Sequence, residues 1–231
     1  MRITLLGVYG PYPVAGGGCS SYLVEDGDTR VLLDCGSGAM SRMLSRVPLS
    51  LLDAIVLSHL HADHAGEIDL IRYALEQGQG ETPLRVFAPE TERVSAPVFD
   101  PVLTADGTEA RIGSLRLTFT AVRHAVKTVG VRVTDANGHV LFYTGDSGWF
   151  DGLCDAAKDA DLLLADACLL DESNPKALQN HMTVDQVIRL KAAANCRRAV
   201  LTHLWGGVDA YPALALPDGC ELAREGAVYD L

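Results

Sequence analysis

The 231-residue chain contains no run of about 20 apolar residues, so no segment reads as a membrane-spanning helix. It contains no C-x-x-C pair either. Its six cysteines (Cys19, Cys35, Cys154, Cys168, Cys196 and Cys220) are scattered, and a chain of this size needs no disulfide staples. Reduced thiols and a cytoplasmic setting are therefore expected. Near the start, Arg2 precedes only residues 3–7 before Tyr9-Gly10-Pro11 interrupts, too short and too broken for a secretory signal. Basic residues are outnumbered 19 to 30, for a net charge of −11, so no broad positive field exists to hold a long nucleic acid. Bound dications would reverse that sign locally. Gly16-Gly17-Gly18 lacks the Gly-Lys-Ser/Thr ending of a phosphate loop. With no fixed-period repeat and no linker, residues 1–231 are expected to form one domain.

What the chain has is concentrated in residues 53–66. The apolar run Ala54-Ile55-Val56-Leu57 is short enough for a buried strand and gives way at once to His59, His61, Asp63 and His64. Imidazole and carboxylate are the ligands that borderline metals such as zinc prefer. In an extended loop, residues 59 and 61 point the same way, so they can share one ion while Asp63 and His64 reach toward a second as the chain bends. A polar loop with chance histidines is the plain alternative; four ligand-type side chains in six residues weigh against it.

His59-Leu60-His61-Ala62-Asp63-His64 resembles the H-x-H-x-D-H signature of the metallo-β-lactamase fold superfamily, and the flanking Leu57-Ser58 and Ala65-Gly66 fit as well. That signature speaks strongly for fold and metal and weakly for substrate, because the fold hosts many chemistries. The chain in order suits the implied architecture, an α/β four-layer α-β-β-α sandwich with its site at the rim. Strands are expected at 2–8, 20–25, 29–33, 54–57 and 84–88. A hairpin is expected over 111–120 turning at Gly113-Ser114, another over 128–134 and 139–143, and further strands at 161–165, 197–202 and 221–229. Helices are expected at 39–47, 65–77 and 153–158 and from Thr183 onward, with residues 89–102 as a loop or short helix. The halves divide near residue 120.

Of the seven histidines, only His139 sits in a turn like an ordinary solvent residue; His124, His181 and His203 fall just past a strand or at a helix start. Open α/β sites gather at such strand ends. The resemblance assigns His59, His61 and His124 to one ion and Asp63, His64 and His203 to a second, with Asp146 bridging. It implies paired Zn2+, with Mn2+ as the alternative metal, and a bridging hydroxide as nucleophile. Asp34 is open between capping the following helix and holding a metal ligand from behind; the resemblance favours the second.

The second half resembles ribonuclease Z-like enzymes and related cyclic phosphodiesterases, through Asn180-His181-Met182-Thr183, the helix after it, and Leu201-Thr202-His203. Gly16-Gly17-Gly18-Cys19-Ser20-Ser21 and Leu33-Asp34-Cys35-Gly36 are similar too, so the likeness covers nearly the whole chain. It implies that His181 is a general acid for the leaving oxygen, oriented by Asp166, and that Asp63 belongs to the catalytic centre. A plain helix-start role for His181 is disfavoured because helix N-termini repel a cationic ring.

Three departures limit the carry-over. A single hairpin fills the interval from His124 to Asp146, where long-armed ribonuclease Z carries a tRNA-gripping arm. The His-Glu-Ala-Thr element reads Ala165-Asp166-Ala167-Cys168. Leu204-Trp205-Gly206-Gly207 replaces Ser-x-Arg-Tyr.

A hydrolase of small or cyclic phosphodiesters is therefore the leading expectation, with no long nucleic acid and no membrane as partner and a homodimer only by resemblance. Hydrolysis of an ester, thioester or lactone by the same centre is the alternative; tRNA 3′-end cleavage and a non-enzymatic metal-binding scaffold are weaker. Cys168 reads as an inert thiol. Tyr9, Tyr12, Trp149 and Trp205 are open between stacking a base, lid packing and a dimer contact.

Overall fold

The computed structural model describes residues 1–207, 210–211 and 214–231. Two seven-stranded sheets face each other. The first is built from β1 (Arg2–Gly7), β2 (Ser21–Asp26), β3 (Thr29–Leu33), β4 (Ala54–Val56), β5 (Leu84–Ala88) and β6 (Phe99–Leu103), with β14 (Val228–Asp230) on its β1 edge. The second contains β7 (Glu109–Ile112), β8 (Leu115–Ala121), β9 (Val129–Thr134), β10 (Val140–Tyr143), β11 (Leu162–Asp166), β12 (Arg198–Thr202) and β13 (Cys220–Leu222). Helices α1 (Ala39–Leu44), α2 (Ala62–Ala65) and α3 (Ile68–Glu76) belong to the first half, and α4 (Leu153–Ala157) and α5 (Val184–Ala193) to the second.

The apolar strand runs are continuous because both faces of each sheet are covered. Period-two alternation then divides them between layers. Val31, Leu33, Val56 and Phe87 face Phe119, Val131, Leu141 and Leu164 in the core between the sheets. Leu32, Ile55 and Val86 point outward to Met43, Ile71 and Leu75 of α1 and α3. Phe142, Leu163 and Leu201 do the same toward Leu153, Val187 and Leu190 of α4 and α5. These are the four layers expected. Phe119 is fully buried and stacks on Phe87 with centroids 5.9 Å apart. Truncating it to alanine should cost about 3–5 kcal/mol.

Four expectations need correction. Residues 89–102 include the expected short helix at Glu92–Val94, but from Phe99 the chain enters strand β6, which tolerates Pro101 because it lies at a sheet edge where a missing N–H breaks no ladder. The halves divide between Leu103 and Glu109 rather than near 120, since β7 and β8 pair into the second sheet. The single final strand is two: β13 runs parallel to β12, then Arg224-Glu225-Gly226 turns the chain across to pair β14 with β1. Gly226 takes φ +79° there, which glycine adopts without strain. The helix expected over 65–77 is interrupted, α2 ending at Ala65 and α3 starting at Ile68. At this break the Glu67 carboxylate turns away to accept from the N–H groups of Gly38 and Met40, both 2.6 Å, at the start of α1. None of the described helices is long and apolar enough to cross a membrane.

Candidate metal centre

The C-terminal ends of β3, β4, β8, β10, β11 and β12 deliver Asp34, His59, His124, Asp146, Asp166 and His203 to one rim. After β4 the chain bends at Ser58, is extended at His61 and then makes the single turn α2, which swings Asp63 and His64 inward. That turn presses on the β3–α1 loop: the Cys35 N–H donates to the His64 carbonyl at 2.7 Å. A Cβ on Gly36 would lie 2.1 Å from the Asp63 carbonyl oxygen, so this approach requires glycine. Asp34 and His203 hold φ of 55° and 58°, a left-handed conformation uncommon for residues with a side chain. Such backbone persists where surrounding contacts over-determine it, as at functional sites.

The sequence-predicted residues fall into two adjoining sets. His59, His61, His124 and Asp146 present one donor atom each within 4.8 Å of one another, and Asp63, His64, Asp146 and His203 do the same. His59 Nε2 lies 2.9 Å and His124 Nε2 3.2 Å from His61 Nδ1, while Asp146 Oδ2 is 3.8 Å from each of the outer two rings. On the other side, His203 Nε2 is 3.1 Å from Asp63 Oδ2 and 3.3 Å from Asp146 Oδ1. Asp146 is shared by both sets.

The hydrogen bonds behind these rings show that the donor sets fit cations. Asp34 Oδ2 accepts from His64 Nδ1–H (2.7 Å), Tyr143 O–H (2.7 Å) and Ser58 Oγ–H (2.8 Å), and Oδ1 accepts from the Ser58 N–H (2.7 Å). With its Nδ1 proton committed, His64 turns the lone pair of Nε2 toward Asp146 Oδ1 at 3.1 Å. Both atoms are buried without a hydrogen-bond partner. Two facing acceptors out of water are satisfied by a positive charge between them. His124 repeats the arrangement: Nδ1–H donates to the Asn180 carbonyl at 3.1 Å, leaving Nε2 to the cluster.

The same pairing shows in the electrostatics, where a proton on His64 Nε2 can take the place of a cation. Burial works against ionising Asp146, yet His203 and His64 hold its carboxyl well below the usual range. Burial likewise disfavours a charged His64, and Asp146 and Asp34 outweigh it, lifting that ring well above its ordinary value. His59 and His124, with less carboxylate contact, are pushed down by burial.

Beside the two sets, His181 Nδ1–H donates to Asp166 Oδ2 at 2.9 Å. Asp166 is itself held by the N–H groups of Ser147 (3.1 Å) and Cys168 (2.9 Å). Burial opposes charge on His181, but Asp166 and then Asp146 raise its pKa to about 9. Its ring stacks on His203 with centroids 5.3 Å apart and 16° between planes. Two residues on, Thr183 N-caps α5 in a capping box with Gln186, which fixes the approach of this segment.

Sequence reasoning passed over Tyr143 and gave Ser58 no task. The usable signal was a tyrosine hydroxyl inside an apolar strand, which needs a buried partner. His139 is half-exposed but pairs with Asp135 at 2.9 Å. Trp205 Nε1 donates to the Tyr12 hydroxyl at 3.1 Å, joining two of the rim aromatics.

Residues 29–204 match the family model of the "Beta-lactamase superfamily domain". The chain belongs to that superfamily. It is 32% identical over 221 residues to the probable metallo-hydrolase YhfI of Bacillus subtilis, covering 88% of this chain and 87% of that protein. The crystal structure of YhfI superposes with a TM-score of 0.87 at 27% identity, covering 99% and 98% of the two chains. The mitochondrial ribonuclease Z of Drosophila melanogaster is 29% identical across 99% of this chain, which spans 34% of that longer protein. A diphosphatase from the PhnP family shares the fold, with a TM-score of 0.76 at 19% identity covering 100% of this chain and 97% of the other. The expected fold, its ribonuclease Z-like branch and an enzyme of the metallo-hydrolase class all agree with this membership.

Proposed function

We propose that the chain is a phosphodiesterase acting on small or cyclic phosphodiesters through a two-ion centre. His59, His61 and His124 would hold one ion, Asp63, His64 and His203 the other, with Asp146 on both. Five imidazoles and two carboxylates suit zinc, with manganese as the alternative. When bound, the ions supply Lewis-acid charge stabilisation and a nucleophile at neutral pH.

The observation that carries the reading is the His181–Asp166 pair standing against this cluster. Asp166 accepts a hydrogen bond from Nδ1–H and fixes the ring. That leaves Nε2 to deliver a proton to a departing oxygen. An alkoxide leaving at neutral pH needs such a proton. The carboxylic ester, thioester or lactone reading has less use for it. The ribonuclease name of the Drosophila relative supports phosphodiester chemistry. The net charge of −11 and the single short hairpin between His124 and Asp146 favour a small substrate over tRNA.

The test compares leaving groups in wild type and His181→Ala, each loaded with zinc and with manganese. A cyclic nucleotide loses an alkoxide, whereas bis-p-nitrophenyl phosphate and a nitrophenyl ester lose a stabilised phenolate. Turnover of the cyclic phosphodiester should fall about 10²–10⁴-fold in His181→Ala, and that of the two nitrophenyl substrates less than about tenfold. Absence of phosphodiester turnover by fully metallated wild type would overturn the reading, and ester turnover alone would install the acyl alternative.

A further inference from the structure

His203 has two ring nitrogens, and only Nε2 faces the two-ion cluster. Its Nδ1 is buried and without a hydrogen-bond partner, 3.6 Å from Asp166 Oδ1. The Cys168 N–H donates to that same oxygen at 2.9 Å, which ties residue 168 to the Asp166 side chain. Donor atoms of Asp166, Cys168, His181 and His203 all lie within 4.8 Å of one another. Zinc bonds of about 2.3 Å to sulfur and about 2.0 Å to nitrogen place tetrahedral donors about 3.3–3.5 Å apart, so a pair at the 4.8 Å limit closes by about 1.3 Å when an ion binds. Cys168 also lines a pocket of about 430 Å³ with Trp205 and Tyr211, a pocket that Asp146 does not line. No part of the reaction proposed above uses the thiol.

The geometry points to a third cation site on Asp166, Cys168 and His181, beside His203, that takes a thiophilic divalent ion and inhibits the enzyme. Binding displaces two protons, the thiol proton of Cys168 and the Nδ1 proton that His181 shares with Asp166, and both pass to water. The ion occupies the carboxylate and the imidazole nitrogen that otherwise fix His181. Inhibition thus rests on the proposed role of His181, whereas binding does not. A thiolate ligand selects zinc or cobalt over manganese. Manganese in excess therefore leaves turnover alone.

The experiment titrates the metal-free full-length protein with Co2+. The ligands assigned to the two-ion centre are nitrogen and oxygen donors, so thiolate-to-cobalt charge-transfer absorption in the near ultraviolet reports a cysteine ligand. It should grow after two equivalents have bound, vanish in Cys168→Ser and Cys168→Ala, and persist in Cys19→Ser, whose residue packs beside Gly36. In a second arm, excess zinc should lower wild-type turnover about tenfold from its maximum, while Cys168→Ser, measured against its own maximum, responds less than about twofold. Failure of the charge-transfer band to appear at saturation, or its survival in both Cys168 variants, would overturn the site. Equal zinc inhibition of wild type and Cys168→Ser would overturn the inhibitory role. The spectral arm decides the site even if no phosphodiester is turned over.

Discussion

Strand β10 carries a buried aspartate beyond each end, and the two are treated oppositely. Before it, Asp135 accepts from the N–H groups of Asn137 and His139, from His139 Nδ1–H and from the terminal ammonium of Met1, all between 2.9 and 3.2 Å. After it, Asp146 Oδ1 has no hydrogen-bond partner and faces a histidine nitrogen that has none either. The first cluster is complete within the protein and can only add stability. The second leaves buried acceptors unsatisfied, a cost that persists only where something outside the chain completes it. Counting partners thus separates a structural aspartate from a ligand more sharply than burial, since both residues are buried.

The largest expected effect breaks the Asp146 end. Asp146→Ala should lower turnover by at least about 10³-fold, because both ions lose their shared carboxylate. A chelator should lower the melting temperature of wild type by about 5–10 °C, the equivalent of roughly 2–3 kcal/mol of linked binding in a chain of this size. Asp146→Ala should barely respond to chelation, whereas Asp135→Asn should respond as fully as wild type. A blunted response in Asp135→Asn would show that the two ends are coupled through β10.

An intermediate effect comes from behind the ligands. Asp34→Asn retains shape but no longer accepts three hydrogen bonds on one charged oxygen. Metal affinity, measured by competition with a chromophoric chelator, should drop about 10–100-fold. Turnover at saturating metal should largely return, which a collapsed site would not allow.

The smallest effect breaks the complete cluster. Burial tends to raise the Asp135 pKa, but His139, the flanking N–H groups and the terminal ammonium bring it down to about 2. A depressed carboxylate stabilises the fold fully above its unfolded pKa near 4, and the contribution disappears as pH falls toward 2. Discounted for the half-exposed His139 beside it, Asp135→Asn should cost about 1–2 kcal/mol at pH 7 and close to nothing at pH 2. Chemical denaturation at both pH values checks this, and a cost that did not shrink with acid would contradict the assignment.

The layered fold was legible because continuous apolar strands, hairpin turns and the histidine-rich stretch after residue 57 each carry a local signature. Strand β6 escaped notice because Pro101 looks like a breaker wherever edge and centre cannot be told apart. The joint between the halves was displaced because a β-hairpin reads alike whichever sheet it joins. Tyr143 signalled only that its hydroxyl needs a buried partner, and that partner is an aspartate far away in the sequence.

By itself the amino-acid order determined which chemistry could be assembled: imidazoles and carboxylates at strand ends, within the period-two and turn rules that act over a few residues. Tertiary structure alone decided which acceptors were left facing each other. It brought His203 to Asp63, set Asp34 behind His64, and turned His203 Nδ1 toward Asp166. Those pairings join residues from different strands and loops. The packing of the two sheets places them, and no local rule encodes the distance across that interface.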